Sequence, residues 1–349
     1  MTKTNEGNYF EDFSIGQVIH HATPRTVTEG DVALYQALFG SRFSLQSSAE
    51  VARASGYATA PVDDLLAFHI VFGKTVPDIS LNAVANLGYA DCKFHQPVFP
   101  GDTLSADSKV IGLKENSNGE TGVVYVRSTG RNQRGEIVID YVRWVMVRKR
   151  DKASPAPTPD VPSLPDAVDP RHLIPPAKTG FAKFDLTASG SRYLWDDYEA
   201  GEKIDHVDGI TIEEAEHMMA TRLYQNTAKV HFNQFTEGQG RFGRRLIYGG
   251  HVISLARALS FNGLGNAVLL GAINGGRHVA PCFAGNTVFA WTEVLEKAEL
   301  DRRADLGALR LRTFATKDAP CATFPGPLEK GYAEGVILDL DYWVFMPRR

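Results

Sequence analysis

The chain has little of what would tie it to disulfides, metals or membranes. Its only three cysteines are Cys92, Cys282 and Cys321, and their odd number and wide spacing suit neither a disulfide framework nor a metal-binding pair. We expect them to be buried thiols. No apolar run approaches the roughly 20 residues that cross a membrane, and the polar N-terminus lacks the features of a signal peptide. These absences predict a cytoplasmic protein without a membrane partner.

Charge and motifs exclude further classes. The net charge of -4 gives no general attraction to nucleic acid. No dinucleotide-binding glycine motif, P-loop or metal-ligand cluster stands in a suitable context. The Gly-rich segment 271–276 aligns with an expected strand around 86–88 and is discounted. We therefore expect no metal, no cofactor and no nucleic-acid partner.

The most informative feature that the sequence does have is an internal repeat. The offset is 185 residues over most of its length, and the matching segments are 9–16 with 193–201, 38–46 with 223–231, 99–103 with 283–287, and 137–145 with 336–344. A repeat of this length indicates two copies of one domain. The length of 349 residues also exceeds what one core usually serves.

Proline composition places the boundary between the copies. We expect a first copy over 8–150, a Pro-rich linker over 151–189, and a second copy over 190–349. Prolines remove backbone donors and keep a chain extended, so the linker should be semi-rigid. The second copy has an extra Pro- and Gly-rich loop around 317–331, which should separate its last two strands.

Both copies repeat one order of elements. A helix should begin near Thr28 or Thr211, where threonine before acidic residues supplies an N-cap. A strongly apolar helix follows, with its buried positions at helical spacing: Leu65, Phe68, His69 and Phe72, then Val252, Leu255, Ala256 and Leu259. The remainder predicts strands over 103–110, 122–129, 136–148, 287–295, 308–315 and 335–346. A central helix against an antiparallel sheet is an α+β unit.

One polar segment differs between the copies. The second copy reads Gln-Asn-Thr-Ala-Lys-Val-His over 225–231, whereas the first reads Gly-Ser-Arg-Phe-Ser-Leu-Gln over 40–46. The second resembles the Gly-Asp-x-Asn-Pro-Leu-His signature of the MaoC-like hydratases, a branch of the hotdog-fold thioester enzymes. It keeps the histidine and its spacing but has Asn226 for the aspartate. The resemblance implies a tandem, or double, hotdog fold, with each central helix wrapped by an antiparallel sheet and the two sheets paired edge to edge.

Longer segments narrow the resemblance. Residues 39–48, 63–78, 82–89 and 224–233 are similar to mesaconyl-CoA hydratases, also called β-methylmalyl-CoA dehydratases. This similarity implies reversible interconversion of mesaconyl-CoA and β-methylmalyl-CoA by syn addition of water, within glyoxylate assimilation. The partner is then an acyl-CoA thioester, whose CoA is part of the substrate. The resemblance also implies that the first copy is degenerate and lines the CoA tunnel. We further expect a homo-oligomer.

His231 is the candidate general acid/base, because imidazole titrates near neutral pH and its repeat equivalent is Gln46. The departure at Asn226 leaves two hypotheses open. Either Asn226 orients the attacking water while His231 acts alone, or another acid such as Glu237 supplies the missing carboxylate.

Gly249 and Gly250 precede the second apolar helix, where unpaired N–H groups favour negative charge. We assign the Gly250 N–H, with that of His251, to the thioester oxygen. Asp63 and Asp64 of the first copy occupy the corresponding place and would repel an enolate. This difference favours a single active site in the second copy.

A dicarboxylate thioester also needs a cation for its free carboxylate. The candidates near the signature are Lys229, Arg241, Arg244 and Arg245, and Arg42 could reach across from the first copy. The sequence does not rank them.

Three other functions compete with this interpretation. An aliphatic enoyl-CoA hydratase would not need the arginines. A hotdog thioesterase would use Asp63 or Asp64 and release free CoA. A non-catalytic acyl-CoA binding module would explain Asn226, although the retained His231 argues against it.

Overall fold

The computed structural model describes residues 3–177 and 179–349. The helices are α1 Glu29–Phe39, α2 Ser44–Ser47, α3 Ala49–Ala54, α4 Asp64–Thr75, α5 Leu186–Ser189, α6 Glu214–Leu223, α7 Lys229–Phe232, α8 Gln234–Glu237, α9 Gly249–Leu259 and α10 Phe261–Leu264. The strands are β1 Val18–Thr26, β2 Ala83–Phe94, β3 Thr103–Glu115, β4 Thr121–Arg131, β5 Ile137–Arg148, β6 Lys203–Asp205, β7 Ile210–Thr211, β8 Leu269–His278, β9 Thr287–Glu299, β10 Leu306–Lys317 and β11 Val336–Pro347.

All eleven strands belong to one antiparallel sheet. Its order is β1-β3-β4-β5-β2-β8-β11-β10-β9-β6, with β7 also paired to β9. The first copy supplies one half and the second copy the other, and they meet where β2 pairs with β8, with Tyr89 opposite Gly276. This edge-to-edge pairing covers strand edges that would otherwise be open. It confirms the α+β tandem hotdog fold expected from the repeat.

The two apolar helices lie side by side against this sheet. In α4 every residue from Leu65 to Thr75 is buried, and α9 is buried from Gly250 to Ala258. Both helices contribute to one hydrophobic core. At their crossing, His69 Nε2 lies 2.9 Å from Ser254 Oγ. These two residues are 185 positions apart, so the local pseudo-twofold axis of the repeat passes between them.

The threonine N-cap that the sequence predicts is present in the first copy and absent from the second. Thr28 caps α1 as predicted, because its hydroxyl accepts the Asp31 N–H at 3.2 Å. In the second copy a helix does begin near Thr211, as predicted, but Thr211 is not its N-cap. Thr211 lies in β7, paired with Thr287, and α6 begins at Glu214 with Glu213 as its N-cap.

The segment between the copies lies against the protein. Val168, Leu173 and Phe181 are buried in a core cluster with Trp343 and Phe345. The Leu113 and Asp160 backbones pair as an isolated bridge. The three cysteines are buried and free, as expected. Over the described residues, no helix is both long and apolar enough to cross a membrane.

Candidate active site

His231 lies in the short helix α7 with one ring nitrogen committed. Its Nδ1 is 2.9 Å from the Leu246 carbonyl oxygen. A carbonyl can only accept, so Nδ1 carries the proton and Nε2 keeps a free lone pair. Burial lowers the pKa of His231 to about 4, partly opposed by the Leu246 hydrogen bond. The imidazole is therefore neutral near pH 7 and able to accept a proton at Nε2.

Tyr248 connects this histidine to the central helix of the second copy. The rings of His231 and Tyr248 have their centroids 5.5 Å apart. The Tyr248 backbone N–H donates to His217 Nε2 at 2.9 Å, which makes His217 the Nδ1–H tautomer. The N-cap of α9 is thus held beside His231 by a second neutral histidine.

The N-terminus of α9 is open in the sense that no side chain caps its backbone N–H groups. Its N-cap is Tyr248, and no side chain accepts from its first turn. The His251 N–H donates to the Tyr248 carbonyl at 2.9 Å. The prediction that the His251 N–H meets the substrate is therefore wrong, because that group already has a partner. The amides of Gly249 and Gly250 are the ones left to bind an oxyanion, at the positive end of the helix dipole.

Close packing explains the two glycines. A methyl group at Gly249 would overlap the ring of His278, and one at Gly250 would overlap the rings of His69 and Tyr248. His278 ends β8, and its Nε2 is buried without a hydrogen-bond partner among the described residues. Burial, with a smaller effect of the nearby His231, lowers the pKa of His278 to about 4. Gly249 thus allows a second neutral imidazole to lie on the helix start.

Asn226 is almost completely buried, with 1% of its surface exposed. Its Oδ1 accepts the Ala228 N–H at 3.2 Å, which starts α7. Its Nδ2 is buried and has no partner among the described residues. The amide therefore both shapes the turn and offers two free N–H donors inside the site. The His231 side chain is hydrogen-bonded to Leu246 and not to Glu237 among the described residues. The hypothesis that Glu237 supplies the missing carboxylate stays a prediction.

Three of the basic residues predicted to bind a carboxylate lie outside this buried cluster. Lys229, Arg241 and Arg244 are exposed, which keeps their charges hydrated. Arg244 donates to the Ala284 carbonyl at 2.7 Å, and the Arg241 guanidinium lies over the ring of its neighbour Phe242. Arg245 differs from these three, because its side chain is only 11% exposed and is paired with Glu214 at 2.7 Å.

Arg42 lies elsewhere. Its guanidinium is 4.8 Å from the centroid of the Phe261 ring and lines a surface cavity of about 780 Å³ formed with the segment 186–193. This cavity adjoins the degenerate signature of the first copy. Arg42 does reach across to the second copy, but it contacts α10 rather than His231.

The corresponding helix start in the first copy is closed. Asp63 caps α4 by accepting the Leu65 N–H at 2.9 Å, and Asp64 accepts the Leu270 N–H at 2.8 Å. Burial raises the pKa of Asp64 to about 7. The buried Arg257 guanidinium adds an attractive charge to both carboxyls. Since both carboxyl groups are engaged internally, the geometry does not favour their use in a thioesterase.

Gln46 is also structural. Its Nε2 donates to the Val268 carbonyl at 2.7 Å, and the residue is 6% exposed. In the first copy, the start of α4 is therefore occupied by the side chains of Asp63 and Asp64. In the second copy, the start of α9 has no side-chain cap and lies beside the neutral His231.

Several residues of the site were missed from the sequence. His278 and Tyr248 stand at element ends without a motif. Tyr89 and Arg143, which neighbour them through ring contacts, lie in strands of the first copy. The position of Arg143 could have been noticed in the sequence pattern of β5. It stands in the buried phase of β5, whose other members are apolar or aromatic: Ile139, Tyr141, Val145 and Val147.

Comparisons with known proteins agree with this geometry. A family model described as mesaconyl-CoA hydratase matches residues 1–326. A β-methylmalyl-CoA dehydratase of Chloroflexus aurantiacus is 64% identical over 348 residues, with 99% of each chain covered. A mesaconyl-CoA hydratase of Cereibacter sphaeroides is 60% identical, covering 99% of this chain and 100% of the relative.

Solved structures support the same assignment. A MaoC domain protein from Chloroflexus aurantiacus J-10-fl superposes with a TM-score of 0.97 at 62% identity, with both chains fully covered. A double-hotdog protein of Mycobacterium tuberculosis has a TM-score of 0.75 at 24% identity, covering 98% of this chain and 99% of that one. The second likeness shows the fold alone. With the family model and the full-length relatives taken together, the chain belongs to the mesaconyl-CoA hydratase family.

Proposed function

We propose that this protein reversibly hydrates mesaconyl-CoA to β-methylmalyl-CoA, as the names of its full-length relatives indicate for those proteins. The observation that carries the proposal is the open N-terminus of α9 beside the free Nε2 of His231. A neutral base and an anion-stabilising helix start are the two groups that water addition to an unsaturated thioester requires.

In the hydration direction, water attacks Cβ while its proton passes to His231 Nε2. The electron pair of the carbon–carbon double bond forms a double bond between Cα and the carbonyl carbon, and the carbonyl pair moves to the thioester oxygen, which gives an enolate. The Gly250 N–H, with that of Gly249, donates to this oxygen. His231 then returns the proton to Cα on the same face, which re-forms the thioester carbonyl and the neutral imidazole. One base thus serves a syn addition, and dehydration follows the same steps in reverse.

Asn226 positions the attacking water through its two free Nδ2 hydrogens. An amide cannot take the proton, so the burial of Asn226 without a charge leaves the proton transfers to His231. The first copy contributes its helix α4, because Gly73 lies directly against the backbone of Tyr224 and Asn226. This contact supports the expected role of the degenerate copy in forming the substrate tunnel.

The exposed cations Lys229, Arg241 and Arg244 suit the phosphates of CoA better than the reacting acyl group. They are exposed at the surface beside α7 and α8, and none of them forms an ion pair with a described carboxylate. The chemistry uses no cofactor beyond the CoA that the substrate carries. The expected homo-oligomer, the cytoplasmic location and the role in glyoxylate assimilation stay predictions.

The test is the absorbance of the conjugated thioester after the purified protein is mixed with mesaconyl-CoA, with crotonyl-CoA and a free-thiol assay alongside. Loss of the chromophore with mesaconyl-CoA and no release of thiol supports the proposal. Equal turnover of crotonyl-CoA would contradict the dicarboxylate substrate. Release of free CoA would contradict hydration and point to a thioesterase.

A further inference from the structure

Arg143 is a buried cation without an anionic partner. It lies in β5 with no exposed surface. One nitrogen, Nη2, donates to Thr75 Oγ1 at 2.7 Å and more weakly to Ser80 Oγ at 3.4 Å. Its Nε and Nη1 have no hydrogen-bond partner among the described residues. Burying a charge in this way is costly unless an opposite charge accompanies it.

The neighbours of Arg143 add donors and no anion. Tyr89 stands directly opposite it on β2, and Tyr141 precedes it by two residues, so all three side chains share one face of the sheet. The hydroxyls of Tyr89 and Tyr141 are buried and also lack partners among the described residues. Two guanidinium nitrogens and two hydroxyls on this face of the sheet are thus buried without a partner among the described residues.

This cluster adjoins the site of His231. The Arg143 Cζ lies 4.3 Å from the centroid of the Phe72 ring. The Phe72 ring is 5.6 Å from that of Tyr248, which is the ring beside His231. On the other side, the Tyr89 ring lies 6.0 Å from that of His278, which covers Gly249. The unpaired donors therefore lie next to the open start of α9.

A second buried arginine has carboxyl groups near it. Arg257 lies on α9, and Asp63 and Asp64 at the start of α4 are close enough to favour its charged form. The helix starts match these two aspartates with Tyr248 and Gly249, one residue earlier than the sequence predicted. Only tyrosines, and no carboxyl group, act in this way on Arg143 among the described residues.

We propose that Arg143, with the hydroxyls of Tyr89 and Tyr141, binds the free carboxylate of the substrate. This inference rests on the proposed function, in which that carboxylate is attached to Cβ of the acyl chain. A carboxylate accepts about four hydrogen bonds and pairs with a guanidinium through two parallel N–H groups. A bound carboxylate would supply the opposite charge that Arg143 lacks among the described residues.

The arrangement also sets specificity. An aliphatic enoyl-CoA such as crotonyl-CoA has a methyl group at Cβ and would leave the guanidinium and both hydroxyls unpaired. Sites built to bind a polar group reject analogues that lack it, by factors up to about 10⁴ to 10⁵. The surface arginines predicted from the sequence are not needed for this recognition.

The experiment compares kcat/KM for mesaconyl-CoA and crotonyl-CoA in the wild type and in Arg143→Gln. We expect mesaconyl-CoA hydration to fall by about 10³-fold or more, while crotonyl-CoA hydration stays within about threefold or rises. Arg53→Gln, which changes an exposed arginine of α3, is the matched control and should leave both unchanged. An equal fall for both substrates, or an unchanged ratio, overturns the proposal.

If Arg143→Gln does not fold, the variants Tyr89→Phe and Tyr141→Phe test the carboxylate site instead. Each removes one hydroxyl donor and should lower the mesaconyl-to-crotonyl ratio by about tenfold. Two folded variants with the wild-type ratio would overturn the carboxylate site. Failure of the wild type to hydrate mesaconyl-CoA would contradict the proposed function itself, whereas wild-type hydration with unchanged ratios in the variants contradicts only this site.

Discussion

Acidification to pH 5 should destabilise this protein through its buried histidines. Four histidines have at most 2% of their surface exposed: His69, His206, His217 and His251. Burial lowers the pKa of His69 and His251 to about 3, of His206 to about 4, and of His217 to about 2. In the unfolded chain each should titrate near 6.5.

Whether stability rises or falls with pH depends on which state, folded or unfolded, binds more protons. Below pH 6.5 the unfolded chain takes up protons on these side chains, while the folded protein keeps them neutral down to about pH 4. Stability is therefore full above pH 6.5 and falls as the pH drops through this window. The loss is about 2 kcal/mol for each histidine at pH 5, and about 8 kcal/mol for the four together.

One buried carboxyl opposes this loss. Burial raises the pKa of Asp64 to about 7, so the folded protein binds its proton more readily than the unfolded chain does. Moving from pH 7.5 to pH 5 therefore raises the contribution of Asp64 to the free energy of unfolding by about 2.5 kcal/mol. The histidines still dominate, and the net loss of about 5 kcal/mol approaches the entire stability of many domains.

The measurement is the free energy of unfolding by urea at pH 7.5 and at pH 5. His206→Gln is the informative variant, because it removes one buried titrating group far from the signature segment. Its loss between the two pH values should be smaller than that of the wild type by about 2 kcal/mol. Stability that is equal or greater at pH 5 would refute the assignment of neutral buried histidines.

Two further predictions concern the site itself. Gly249→Ala places a methyl group against His278; we expect about 1–3 kcal/mol of destabilisation by urea unfolding and about 100-fold lower kcat. Wild-type turnover in this variant would show that the close approach of His278 is not needed. Asn226→Asp restores the carboxylate of the family signature but removes the free Nδ2 donors, so steady-state kinetics should show kcat lower by about 10- to 100-fold. An increase in kcat would instead mean that a carboxylate is the better group at this position.

The fold could be read from the sequence because its signals are local and repeated. The apolar spacing in α4 and α9 predicts the buried face of each helix, and the alternation in the long strands predicts the buried face of the sheet. Because the two copies repeat one order of elements, equivalent elements should bury equivalent faces. The N-cap of α6 was misplaced by two residues, because Thr211 pairs with Thr287 of β9 instead of capping the helix. The pairing depends on strand β9, which lies beside Thr211 only in the folded protein.

The site was only partly predictable, for a physical reason. His231 and Gly250 lie in a recognisable segment, whereas His278, Tyr89 and Arg143 come from distant strands that meet only in the folded sheet. The cations closest in sequence to His231 are mostly exposed: Lys229, Arg241 and Arg244 lie at the surface. A single arginine in the buried phase of β5 was the stronger signal, because an unpaired buried charge needs a partner.

The most direct test of the central claim is the hydration rate of mesaconyl-CoA by His231→Gln. Glutamine can preserve the hydrogen bond to Leu246 but cannot accept the proton from water. We predict that kcat falls by about 10²- to 10⁴-fold while the circular dichroism spectrum and the unfolding midpoint at pH 7.5 remain close to those of the wild type. The exposed His172→Gln serves as the control and should retain full activity. A folded His231→Gln protein that turns over at the wild-type rate would contradict the account.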